Sequence, residues 1–94
     1  MITPAIEEYL EAIYKMSLEG PVIAARLAER MEVSPPTVAD MLRRLTENGY
    51  IKSSRREGVM LTKKGRDTAE SLVRRHRLWE RFLTDVLGLD WDEV

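Results

Sequence analysis

The 94-residue chain has no cysteine and a single histidine. The first absence excludes a disulfide framework and any thiolate metal site, and it suits a reducing compartment such as the cytoplasm. No apolar run approaches the ~20 residues of a helical membrane span. The opening Met1-Ile2-Thr3-Pro4 also lacks the charged-then-apolar order of a signal peptide. There is no glycine-rich phosphate loop and no nucleophile paired with a base, so the chain does not read as an enzyme. A soluble cytoplasmic protein of about one domain is expected.

Net charge is also scarce, at −1, which by itself argues against a nucleic-acid partner. Its distribution argues the other way. Between Met41 and Arg66 the basic residues are Arg43, Arg44, Lys52, Arg55, Arg56, Lys63, Lys64 and Arg66, against only Glu47 and Glu57. Met1 to Glu32 carries three basic residues against six acidic ones. A basic middle flanked by acidic ends decides where a phosphate backbone docks better than the total does.

Thr3 before Pro4 sets a helix N-cap with proline at the first helical position. Ile6, Tyr9, Leu10, Ile13 and Tyr14 then recur at helical spacing until Gly20-Pro21. A short second helix is expected from Ile23 to Met31, with Ala24, Leu27, Ala28 and Met31 turned inward. Ser34 caps a third, with Pro35 and Pro36 in its first turn, where missing backbone donors matter little. Its buried stripe is Val38, Met41, Leu42 and Leu45, and Asn48-Gly49 stops it. Tyr50–Ser54 and Gly58–Thr62 read as a β-hairpin joined by Arg55-Arg56-Glu57, with Gly58 permitting the turn. Thr62 caps a long helix reaching to Leu87 on the seam Ala69, Leu72, Val73, His76, Trp79, Leu83 and Val86. Gly65 lies in its first turn, where a glycine is well tolerated. Gly88 ends that helix, and Asp90 with Glu93 forms a capping box for another.

Helix, tight turn, helix and basic hairpin make a winged helix-turn-helix, with Leu27, Ala28, Met31, Val33, Val38 and Met41 at the inward positions. One departure is Glu32, where many such turns have glycine. With the third helix in a DNA major groove, the candidate contact residues are Ser34, Pro36, Thr37, Ala39, Asp40, Arg43 and Arg44. Thr37 suits a phosphate or base edge, Pro36 and Ala39 suit thymine methyl groups, and Arg43 and Arg44 suit phosphates. Asp40 can accept from a cytosine amino group yet repels phosphate, so its role is open. Arg55 and Arg56 at the wing tip would flank a minor groove or the backbone. Any one of these arginines taken singly reads as a solvated face; the whole arrangement favours double-stranded DNA.

Glu8 with Glu11, and His76 with Glu80, are pairs at one-turn spacing, so each pair shares a helix face. Both pairs border apolar seams of helices that should pack together. Carboxylates and one imidazole, without sulfur, suit Mn²⁺ or Fe²⁺.

Four segments, in order, make a specific resemblance. They are Glu8-Tyr9-Leu10-Glu11-Ala12-Ile13-Tyr14, Ser34-Pro35-Pro36-Thr37-Val38, Leu61-Thr62-Lys63-Lys64-Gly65, and Arg75-His76-Arg77-Leu78-Trp79-Glu80-Arg81-Phe82-Leu83. Together they resemble the diphtheria toxin repressor family, which includes the manganese transport regulators. The resemblance implies a mainly α fold with a small β-hairpin. Residues 1–66 would form the winged helix-turn-helix, and residues 67–94 a long helix leading into an α-helical dimerisation domain. It implies a metal-dependent repressor of metal-uptake genes that binds its operator as a homodimer in the full-length protein.

Carried over by position, Glu8 and Glu11 match the manganese-type carboxylates of the first helix, His76 the long-helix histidine, and Glu80 the carboxylate used with it in an ancillary site. Mn²⁺ is favoured over Fe²⁺, although Glu8 stands where manganese regulators have the shorter Asp. The family's remaining ligands lie on the helix that Asp90 would begin. The chain is therefore expected to be the DNA-binding portion of a longer regulator rather than a naturally shortened relative, with Trp79, Phe82 and Trp91 awaiting a partner surface. The alternative is a metal-independent winged-helix module that binds DNA or protein.

Overall fold

The computed structural model of the chain describes residues 2–88; the expected capping box at Asp90 and Glu93, and Trp91, lie outside them. The elements run α1 (Pro4–Ser17), α2 (Ala24–Met31), α3 (Pro35–Glu47), β1 (Ile51–Ser54), β2 (Gly58–Leu61) and α4 (Lys63–Arg81), and α4 continues into a π-helical segment, Phe82–Val86. This is the expected mainly α fold with one hairpin. Among the described residues no helix is long and apolar enough to cross a membrane.

Each long helix starts where a hydroxyl meets an orphan backbone N–H. Thr3 accepts from the amide of Ile6, Ser34 from Thr37 and Thr62 from Gly65. The end of α3 is closed by two bonds, Gly49 N–H to Thr46 O and Tyr50 N–H to Leu45 O, with Gly49 at φ 77°. That closure occupies Tyr50, so β1 begins one residue later than expected. Thr62, which caps α4, likewise falls just outside β2. The strands pair antiparallel from Ile51 opposite Leu61 to Ser54 opposite Gly58.

A third extended residue joins the wing. Val22 forms an isolated bridge to the hairpin, and its carbonyl accepts from Val59 N–H at 2.9 Å. A methyl group at Gly58 would sit 2.3 Å from that carbonyl, so Gly58 is needed for this crossing as well as for its φ of 75°. No alternating pattern surrounds Val22, which is why the sequence does not show it as a strand.

The core joins Leu10 and Ile13 of α1, Leu27 of α2, Val38 and Leu45 of α3, Ile51 and Val59 of the hairpin, and Ala69 and Leu72 of α4. Met31, Met41 and Leu42 are only half-buried, and Ala24 is exposed rather than inward, because the first turn of α2 projects beside the wing. The long-helix seam holds through Ala69, Leu72 and Leu83 but not through His76, Trp79 and Val86, which are exposed. α4 packs on α1, where Arg75 meets Glu7 and His76 meets Glu11. From Phe82 to Val86 the helix widens to π geometry, which shifts the period at Val86; His76 and Trp79 lie before that segment.

Gly65 is a second correction. It is buried, and a Cβ there would stand 2.0 Å from the carbonyl oxygen of Tyr50. Glycine at this position is a requirement of close approach between α4 and the start of the hairpin, not merely tolerated.

Candidate functional site

Two surfaces carry the residues singled out above. On the first, α2 and α3 are joined by Glu32, Val33 and Ser34, with Glu32 in the left-handed region at φ 56° and ψ 45°. The amides of Glu32 and Val33 close the end of α2 on Glu29 and Ala28. Glutamate here takes the conformation that glycine would adopt more readily.

Ser34, Pro36, Thr37, Ala39, Asp40, Arg43 and Arg44 are all exposed on α3 and its cap. Ser34 Oγ lies 2.9 Å from Thr37 Oγ1, so these hydroxyls form one polar group at the helix start. Asp40 accepts from Arg43 Nη2 and its other oxygen lies 3.3 Å from Arg44 Nε, while Arg43 also donates to Glu47 at 3.3 Å. The Arg43 hydrogen bond, followed by the charges of both arginines, holds the Asp40 carboxyl below the usual carboxylate range.

At the wing tip Ser54 Oγ accepts from the amides of Arg56 and Glu57 at 3.1 and 2.9 Å, fixing the turn that presents exposed Arg55 and Arg56. Lys63 and Lys64, part of the basic middle, have internal tasks. Lys63 pairs with Asp67 at 2.9 Å. Lys64 donates to Asn48 O at 2.7 Å and stands 4.5 Å over the Tyr50 ring.

The second surface lies between α1 and α4. His76 Nδ1 is 2.8 Å from Glu11 Oε1. Pro4, Glu7, Glu8, Glu11, Leu72 and His76 line one cleft there, so Glu8 borders the site where Glu11 and His76 meet. Glu80 is half-buried one turn farther along α4 and does not line that cleft. Among the described residues no three carboxylate or imidazole donors converge closely enough to enclose an ion. Of the four donors, the fold thus brings two together and a third beside them, with Glu80 apart.

Basic residues surround this site that the sequence pattern does not single out. Lys15 Nζ lies 3.8 Å from Glu11 Oε1, a pairing that the four-residue spacing on α1 makes legible in hindsight. Arg75 reaches Glu7 at 3.8 Å. Arg30 and Met31, at the end of α2, share a second cleft with Glu8, Glu11 and Lys15, and nothing in the sequence signals it. Burial, and next the Glu8 charge, raises the hydroxyl pKa of Tyr9, which lies under this surface.

The donor chemistry fits a hard divalent ion. Glu8, Glu11 and His76 would offer such an ion carboxylate oxygens and one imidazole nitrogen without sulfur; the 2.8 Å between Glu11 and His76 is a hydrogen bond.

Comparison with known proteins gives consistent matches. Residues 1–59 match the family described as "Iron dependent repressor, N-terminal DNA binding domain", and residues 62–94 the one described as "Iron dependent repressor, metal binding and dimerisation domain". The iron-dependent repressor IdeR of Mycobacterium leprae is 44% identical over 89 residues, covering 94% of this chain and 39% of that protein. The diphtheria toxin repressor of Corynebacterium glutamicum is 43% identical over 89 residues, with the same coverage of 94% and 39%. A solved manganese-dependent transcriptional repressor in complex with manganese superposes with a TM-score of 0.79 at 41% identity, covering 94% of this chain and 41% of that one. The chain therefore spans about two fifths of the length of the curated relatives it matches. With family matches on both sides of the wing exit and such identity along nearly all of its length, the chain belongs to the iron-dependent repressor family.

Proposed function

We propose that the protein is a metal-dependent transcriptional repressor of metal-uptake genes, not an enzyme, which binds double-stranded operator DNA as a cytoplasmic homodimer with Mn²⁺ or Fe²⁺ as its signal. The observation that carries this reading is the meeting of Glu11 and His76 beside Glu8, on helices that brace the helix-turn-helix. Both metals occur in the names of similar proteins, iron in IdeR and manganese in the solved repressor. The sulfur-free donor set favours Mn²⁺.

In this reading Glu8, Glu11 and His76 hold the ion, with Glu80 belonging to an ancillary position. A divalent ion would supply positive charge shared between α1 and α4. Glu11, as an ionised carboxylate, only accepts, so the hydrogen in its bond to His76 is carried by Nδ1. To hold an ion through Nδ1, His76 would carry its ring hydrogen on Nε2 instead. α1 also borders Arg30 and Met31 of α2, so a fixed α1 fixes the first helix of the DNA-reading pair. Residues 1–66 would then serve as the DNA-binding domain, and residues 67–94 as the start of the dimerisation domain. The exposed Trp79 and Phe82, stacked 5.4 Å apart at 13°, would be covered by the partner copy.

The alternative, a metal-independent module, draws on one observation: Glu11 is already satisfied by His76 and Lys15. Fluorescence anisotropy of the full-length protein on a duplex selected from a random pool decides between them. Tight binding only with MnCl₂ or FeCl₂ is expected, whereas equal affinity in chelator overturns the metal-dependent reading.

A further inference from the structure

The cations that α3 offers to DNA are matched within the helix itself. One oxygen of Asp40 accepts from Arg43, the other lies 3.3 Å from Arg44 Nε, and Arg43 is shared with Glu47 at 3.3 Å. Two arginines thus face two acids on the reading surface. The wing differs, since Arg55 and Arg56 are exposed and make no ion pair among the described residues.

We propose that Asp40 is a specificity-determining residue of the DNA-reading helix: by binding Arg43 and Arg44 it withholds both from indiscriminate phosphate contact and so depresses affinity for non-cognate DNA. The inference rests on the DNA-binding reading above.

Non-specific affinity comes from phosphates neutralised by free cations and the counterions they release. An arginine matched by Asp40 contributes little to that term, because phosphate must displace the carboxylate and the displaced carboxylate then repels it. The side chains of Asp40, Arg43 and Arg44 are 47%, 59% and 59% exposed, so these are weak, exchangeable pairs rather than fixed structure. At a cognate site, base contacts from Pro36, Thr37 and Ala39 add to the drive for exchange. At a non-cognate site only the phosphates do.

The test uses the full-length protein with MnCl₂, and anisotropy over a salt series on two duplexes, one selected from a random pool by the wild-type protein and one scrambled. Asp40→Asn, nearly isosteric and uncharged, is expected to bind the scrambled duplex roughly tenfold more tightly, with a log–log salt slope steeper by about one to two units. It should gain much less on the selected duplex, so discrimination falls. Asp40→Ala should move the same way, which separates the lost charge from the new amide. Arg55→Ala should lose about one unit of slope on both duplexes and confirms wing docking independently. Unchanged scrambled-duplex affinity and slope in Asp40→Asn overturns the proposal while leaving DNA binding intact. A loss confined to one base-pair position overturns it too, by making Asp40 a base reader. Wild-type protein that binds no duplex with either MnCl₂ or FeCl₂ sinks the DNA-binding reading, and this inference with it.

Discussion

Nδ1 of His76 and Oε1 of Glu11 stand 2.8 Å apart although 65 positions separate them in the chain. The contact ties α1 to α4 across the body of the winged helix, and Arg75 with Glu7 repeats the tie more loosely at 3.8 Å. α1 is thereby held against both α4 and the end of α2. In the proposed function, a ligand that changes the Glu11–His76 relationship would act on the element that braces the helix-turn-helix.

His76→Ala is expected to leave the fold intact, because the His76 side chain is 55% exposed and is not part of the hydrophobic core. In chelator the loss of stability should be under about 1 kcal/mol, the usual worth of an exposed pair. In MnCl₂ the wild-type full-length protein should melt at a higher temperature than in chelator, and the variant should not. Calorimetry with and without MnCl₂ reads both, and an equal metal-induced rise in the variant would remove His76 from the site.

Asp40 should titrate below the ordinary carboxylate range, since Arg43 donates to it and Arg44 adds its charge. The sign follows from that lowering: the folded chain holds the Asp40 proton less readily than the unfolded one. Its contribution is present above the unfolded pKa and is lost as pH falls through the lowered folded value. Side-chain carboxyl NMR should show Asp40 titrating below the ordinary aspartate range, and Arg43→Ala should move Asp40 back up. A normal Asp40 midpoint in the wild-type protein would mean the pair does not form in solution.

Much of this was legible because local signals agreed with one another. Thr3, Ser34 and Thr62 each precede an apolar period and each caps a helix, while Asn48-Gly49 marks a stop that the backbone then closes with two bonds. The juxtaposition of Glu11 and His76 was foreshadowed by their places beside seams on helices that pack. Glu80 was harder, because one-turn spacing puts it on the face of His76 but does not say that α1 reaches so far along α4. The burial of Val86 was misjudged because the period assumed an α-helix throughout, and the chain passes into π geometry at Phe82; Trp79, on α4 before that point, is exposed, as expected of a residue awaiting a partner surface. Gly65 and Val22 were opaque, since each depends on a distant carbonyl, Tyr50 O in one case and the hairpin crossing in the other.

Gly65→Ala should be strongly destabilising. The added carbon would lie 2.0 Å from Tyr50 O and 3.1 Å from Leu61 Cδ2, and the first of these is backbone held by its bond to Thr62 N–H. Overpacking of this kind costs about 3 kcal/mol. For a chain of this size the melting point should fall by roughly 10 °C or more. A shift of only a degree or two would show that the α4 cap can move away from the hairpin at little cost.

Glu32→Gly is expected to act in the opposite direction. Glu32 holds φ 56° and ψ 45° at the turn between α2 and α3, where a β-carbon is strained by roughly 1–2 kcal/mol against glycine. Glycine gives back part of that gain through its more flexible unfolded chain, leaving a net stabilisation of about 0.5–1 kcal/mol. Glu32 is exposed, so little packing is lost with its side chain. Urea unfolding should show a higher midpoint with an unchanged slope, since the surface buried on folding is the same. A lower midpoint would mean that the glutamate side chain itself stabilises the turn, and that the departure from glycine at this position serves the fold.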